Sequence, residues 1–153
     1  MAAIIEIENL THRFADGTVG LDGITLEIEA GAFVVIAGAN GSGKTTLLRH
    51  LNGLLVPTAG SVRVAGVCVP ENPMKSRVLV GMVFQDADSQ IVGETVRDDV
   101  AFGPENLRLE RIEVERRVSD ALSATGLVHL ADKRPHLLSG GEKRRLAIAG
   151  ILA

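Results

Sequence analysis

Two hydrophobic periods alternate along this chain. From Ile4 to Leu10, Ile5 and Ile7 stand against Glu6 and Glu8, the period of two that marks a half-exposed strand. Ile24 to Ile28 repeats the alternation, and Asp16-Gly17 between the two segments is a turn signal. An antiparallel pair is therefore expected at the start of the chain. Phe33 to Ala37 is instead continuously apolar, as in a parallel strand buried on both faces. Leu47, Leu48 and Leu51 then open a helical pattern. Gly53 to Gly60, with Pro57, reads as a loop. Ser61 to Val64 and Val67 to Val69 read as short strands around Gly66, and Leu79 to Phe84 as a second buried strand. Thr95 to Ala101 predicts a short helix. Ile112, Val114, Val118, Ala121, Leu122 and Thr125 keep helical spacing up to Gly126, a fitting C-terminal cap. Leu137 to Glu142 opens a last helix that is still running at Ala153.

Between the apolar run and the first helix lies Gly38-Ala39-Asn40-Gly41-Ser42-Gly43-Lys44-Thr45, a complete G-x-x-x-x-G-K-[ST] phosphate loop. Its glycines let the backbone wrap a phosphate without Cβ clashes. The helix N-terminus adds free N–H groups and the positive end of a dipole. Lys44 is placed to reach the β- and γ-phosphates, and the Thr45 hydroxyl to hold Mg²⁺. Asn40, Gly41, Ser42, Gly43, Lys44, Thr45 and Thr46 form the candidate cradle. Strand, glycine turn and helix in this order set the motif apart from a chance glycine-rich turn.

Composition narrows the class. The chain has 153 residues, enough for one domain with a sizeable core. It is 46% hydrophobic and only 3% aromatic, which fits an α/β protein built from Val, Ile, Leu and Ala. The net charge of −3 gives no bulk attraction to nucleic acid or anionic lipid. Cys68 is the single cysteine, so no internal disulfide can form and a reducing compartment is expected. No apolar run reaches a membrane-span length, and the N-terminus lacks the features of a signal peptide. Attachment to a membrane would have to come through a partner.

Ser139-Gly140-Gly141-Glu142 carries a second signal. One reading is a capping box, with Ser139 capping the helix and Glu142 reaching back. That leaves unexplained two glycines in the first turn and three cations, Lys143, Arg144 and Arg145, where the dipole disfavours them. A bare, positive helix start suits a docking anion. Two phosphate sites in one chain suggest a nucleotide shared between two chains.

Leu138-Ser139-Gly140-Gly141-Glu142 resembles the LSGGQ signature of ABC (ATP-binding cassette) ATPases, and the phosphate loop precedes it in that family's order. The segments Val80 to Gln85, Gln90 to Gly93 and Thr95 to Gly103 resemble the ATPase subunits of energy-coupling factor importers, the cobalt/nickel and vitamin uptake type. The resemblance spans essentially the whole chain. It implies a P-loop NTPase core with a parallel central sheet, an N-terminal antiparallel β-subdomain and a helical subdomain. Residues 1–85 and 139–153 would be core and β-subdomain, and residues 86–138 the helical subdomain. ATP and Mg²⁺ are the implied cofactors. Phe14 would stack on adenine, and Gln85 would bind Mg²⁺ and sense the γ-phosphate. Plainer readings are a strand side chain for Phe14 and a loop-bonding amide for Gln85. Asp98 and Asp99 read as solvated helix charges. His12, His50, His129 and His136 are scattered without metal-ligand spacing, and His136 reads as a surface residue.

Two departures stand out. Glu142 replaces the signature's Gln, and Ala39 stands where many members carry Pro. Members follow the signature helix with a strand ending in Asp-Glu, whose carboxylates support Mg²⁺ and polarise water. The sequence stops ahead of it at Ala153, so the chain as given is expected not to turn over ATP and to leave apolar sheet edges exposed. The resemblance implies a head-to-tail dimer with a second ABC ATPase subunit, homo- or heteromeric. It also implies integral membrane transporter subunits as partners, no nucleic acid, and a cytoplasmic position on the inner face of the membrane. A soluble ABC ATPase without transport function, or an inactive ATP-binding module, is the alternative. A GTPase is disfavoured, since no Asn-Lys-x-Asp motif occurs.

Overall fold

A computed structural model describes residues 3–153. The chain forms two compact bodies, the first ending at Gly81 and the second running from Met82 to Ala153.

The first body is built on an antiparallel sheet. Strands β1 (Ala3–Arg13), β2 (Val19–Glu29), β3 (Ala59–Val64) and β4 (Val67–Cys68) lie in the order β2-β1-β3-β4. Ile7 pairs with Leu26 on one side and with Val62 on the other. Ile7 and Leu10 are both fully buried although three residues apart, an odd spacing that a regular strand would send to opposite faces. The register of β1 slips between them, and Asn9 takes a left-handed backbone (φ 47°). This bulge resets the alternation and turns Leu10 back into the core. Helix α1 (Lys44–Leu51) contributes Leu47 and Leu51 to the same cluster, with Leu21, Val62, Val64 and Val69. Each such buried aliphatic side chain contributes about 1.5–3 kcal/mol relative to exposure.

The expected parallel strands do not form. Residues 33–38 pair with no strand, and Phe33 and Val35 are 94% and 74% exposed. Leu79 ends helix α2 (Pro73–Leu79) instead of opening a strand, and residues 80–84 are irregular. The reasons are local and topological. Pro73 at the first helical position pre-sets the helix φ, and the Val80 N–H closes the last turn on Ser76. A parallel strand exists only beside a hydrogen-bonded neighbour, and among the described residues neither apolar run has one.

The second body is helical. α3 (Val96–Asn106), α4 (Arg111–Thr125) and α5 (Gly140–Leu152) pack around Val100, Val118, Leu122, Leu127, Leu146 and Ala149. Gly126, at φ 67°, ends α4 as its spacing predicts. α3 runs five residues past the expected end at Ala101. Short 3₁₀ turns at Asp88–Gln90, Val128–Leu130 and Pro135–Leu137 join these elements.

Candidate functional site

The phosphate loop closes on its own lysine. Lys44 Nζ donates to the carbonyls of Gly38 at 2.9 Å and Ala39 at 2.7 Å, holding its charge inside the loop. Gly43 adopts φ 88°, and a Cβ there would stand 2.5 Å from the Gly20 carbonyl oxygen. Only glycine fits on both counts. Helix α1, which starts one residue later, has no side-chain cap and no acidic residue in its first turn. Two of the three longer helices are closed differently, while α4 opens at Glu110 without a side-chain cap bond. α3 and α5 both open with complete capping boxes, Thr95 with Asp98 and Ser139 with Glu142. At α1 the first-turn N–H groups are left to an outside acceptor, beside a lysine and the hydroxyls of Ser42, Thr45 and Thr46. That arrangement fits a chelated phosphate chain with a metal ion at a threonine hydroxyl.

Phe14 belongs to the same body. It opens the turn after β1, held by its N–H to Thr18 and its carbonyl to Gly17, each at 2.9 Å. Its ring lies against Gly20, where a Cβ would come within 2.6 Å of Phe14 Cε2. The carbonyl of Gly20 meets Gly43. A single residue thus separates the exposed aromatic ring from the phosphate loop. Behind Phe14 lie His12 and His50, which the structure joins although they are 38 positions apart. Their separation in sequence hid this pairing.

In the second body Gln85 is exposed, in the irregular segment that precedes the 3₁₀ turn. A different glutamine fixes that segment. Gln90 accepts from the Phe84 N–H at 2.6 Å through Oε1 and donates to the Met82 carbonyl at 3.1 Å through Nε2. Asp99 is not the solvated charge its sequence position suggests. It is 9% exposed, and its Oδ1 accepts from Val92 N at 2.7 Å and Gly93 N at 2.9 Å. Helix periodicity places Asp99 on the inward side of α3, between Val96 and Val100. Asp98 stays at the surface as the capping partner of Thr95.

At the signature, the Glu142 carboxylate accepts from Ser139 N at 2.7 Å and Ser139 Oγ at 2.8 Å. These bonds, the backbone one first, hold the Glu142 carboxyl below its ordinary pKa, with smaller help from Lys133 and Arg145. Gly140 and Gly141 face open space where a side chain would stand. Two of the three cations that follow are held by acceptors outside the signature. Lys143 Nζ pairs with Asp88 at 2.5 Å, and Arg145 Nη1 donates to the Thr125 carbonyl at 3.3 Å. The dipole disfavours cations at this end, and these two find acceptors on other elements. A groove of about 560 Å³ runs beside Asp88, Ile91, Gly93, Glu94 and Arg134, and His136 lines it too.

A glycine loop folded on its lysine ahead of an uncapped helix defines the class, a P-loop protein. The ABC transporter family profile matches residues 21–153, and the chain belongs to that family. It is 54% identical over 151 residues to a putative ABC transporter ATP-binding protein of Geobacter sulfurreducens, covering 98% of this chain and 61% of that protein. It is 48% identical over 153 residues to the energy-coupling factor transporter ATP-binding protein EcfA of Methanocaldococcus jannaschii, covering 98% and 55%. Among solved structures, cbiO1 from Clostridium perfringens, part of the ABC transporter complex cbiONQ, superposes with a TM-score of 0.90 at 41% identity. That match covers 99% of this chain and 62% of cbiO1. The chain thus spans roughly half to two thirds of the lengths of these relatives.

Proposed function

We propose that the chain carries the nucleotide site of an energy-coupling factor ATPase, a subunit that binds and hydrolyses ATP to drive import of a metal ion or vitamin. The observation that carries this reading is the uncapped start of α1 beside Lys44, behind a loop in which Gly43 admits no side chain. Lys44 leaves the Gly38 and Ala39 carbonyls for the β- and γ-phosphates, and the backbone of Asn40 to Thr46 cradles them. The Thr45 hydroxyl would hold Mg²⁺, which would neutralise charge on the phosphates. Phe14 stacks on adenine. Ser139 to Glu142 close over the nucleotide of a second ATPase subunit, where bare Gly140 and Gly141 admit the γ-phosphate.

The segment after Gln85 is the natural relay to a membrane subunit. Gln90, Asp88 and Asp99 fix it to its own chain and to α3 and α5, and the groove beside it offers a seat. Among the described residues no helix is long and apolar enough to cross a membrane. The proposed assembly with membrane subunits would place this subunit on the cytoplasmic face, held there by its partners.

Lys44→Ala tests the site. A charge-assisted hydrogen bond contributes about 1.5–3 kcal/mol, so ATP–Mg²⁺ affinity should fall roughly ten- to a few hundredfold by calorimetry. Equal affinity in a folded variant would remove the assignment. Gly38 and Ala39 are exposed, so losing their bonds to Lys44 should leave thermal stability nearly unchanged.

A further inference from the structure

We propose that His12 and His50 are positioning residues for the nucleotide base, a buried pair that fixes the plane of Phe14 and ties it to helix α1. The inference rests on the reading that Phe14 stacks on adenine. It starts from three rings in series. Phe14 and His12 meet edge to face, with centroids 4.7 Å apart and planes at 82°. His12 and His50 do the same at 4.8 Å and 72°. Phe14 is 40% exposed, His12 8% and His50 1%, so the series runs from the surface into the core.

Proton counting fixes the orientation of the two imidazoles. A carbonyl only accepts, so His50 Nδ1, 2.7 Å from the Thr46 oxygen, carries a hydrogen. In the neutral ring Nε2 is then a bare acceptor. Its partner is His12 Nδ1 at 3.2 Å, which therefore donates and also faces the Val56 carbonyl at 3.2 Å. Rotating His12 would strand a fully buried acceptor on His50, so the ring cannot turn freely. The plane of His12 in turn sets the near-perpendicular contact against which Phe14 rests.

The series ends on the element that carries the phosphate loop. His50 is in the last turn of α1, and its anchor Thr46 is in the first. Thr46 also reaches the Phe14 seat, since a Cβ on Gly20 would lie 3.4 Å from Thr46 Cγ2 as well as against the ring. Base platform and phosphate helix are thus held in one fixed relation. A pair that merely filled core volume would support folding but would leave base recognition untouched.

The test separates base from phosphate. In the complete polypeptide, calorimetry gives the affinities for Mg²⁺–ATP and for Mg²⁺–tripolyphosphate, and their ratio reports the base. Phe14→Ala should lower the ratio about five- to a hundredfold, the range for a base on an aromatic ring. His12→Leu keeps the volume and removes both the ring edge and the N–H. It should lower the ratio about two- to tenfold, the range of an aromatic edge contact, with tripolyphosphate affinity unchanged. His12→Phe should restore much of the loss, and Phe14→Ala/His12→Leu should lose no more than Phe14→Ala alone. An unchanged ratio in His12→Leu while Phe14→Ala lowers it overturns the positioning role and leaves adenine stacking standing. An unchanged ratio in Phe14→Ala overturns both. Equal losses for ATP and tripolyphosphate in His12→Leu assign the pair to folding alone and also overturn the proposal.

Discussion

Asp99→Ala should loosen the segment that follows Gln85 without unfolding α3. The carboxylate is nearly buried and takes two backbone N–H donors, Val92 and Gly93, at 2.7 and 2.9 Å. Each is charge-assisted and contributes about 1.5–3 kcal/mol. Part of that returns when water reaches the freed amides, because Val92 is exposed. The net cost to local order is then about 2–3 kcal/mol, or roughly a 30- to 150-fold rise in the opening equilibrium of these two amides. Hydrogen exchange read residue by residue gives the answer directly. Val92 and Gly93 should speed up by that factor in Asp99→Ala, and by less in Asp99→Asn, whose amide oxygen still accepts. Amides in β1 and β3 of the first body should keep their rates. Unchanged protection at Val92 and Gly93, in a protein whose core amides match the parent, would refute the tether.

On the proposed shared site, Gly141→Asp should spare ATP binding by a single subunit and abolish ATP-driven pairing, because it would set a carboxylate where the partner's γ-phosphate would dock; like-charge juxtaposition costs several kcal/mol. Mixing Gly141→Asp with Lys44→Ala subunits puts both defects on one composite site, so partial recovery of ATP-dependent dimerisation is expected, and loss of binding by folded monomers would contradict the shared site. Acid should weaken the first body through His50, whose pKa burial lowers from 6.5, with His12 adding to the effect. The folded state then binds fewer protons than the unfolded chain, so this contribution is complete above pH 6.5 and declines as pH falls below it, by at most about 1.4 kcal/mol per pH unit. Urea midpoints between pH 7.5 and 5.5 should slope less in His50→Asn than in the parent; equal slopes would contradict the burial argument.

What could be read from the sequence was what is decided within a few residues. The alternation in β1 and β2, the glycines of the phosphate loop, the cap at Gly126 and the Ser139–Glu142 box all act over one turn or one hairpin, and all formed. The apolar runs Phe33 to Ala37 and Leu79 to Phe84 misled because a buried parallel strand is defined by its neighbours, which periodicity does not name. Asp99 was misread from its charge, although its place between Val96 and Val100 already put it on the inward face. His12 and His50 carried no signal, since their pairing is made by docking α1 on the sheet.

Leaving α1 without a cap of its own has a thermodynamic cost and a consequence. Its first turn lacks the internal acceptors that steady α3 and α5, so its order is a quantity that mass action can tune. Any anion that completes it binds the folded chain and not the unfolded one, and adds RT ln(1 + [L]/Kd) to stability, about 2.7 kcal/mol at a hundredfold excess over Kd. Nucleotide supply would then govern how much of this polypeptide survives unfolding and proteolysis, as well as how often it works.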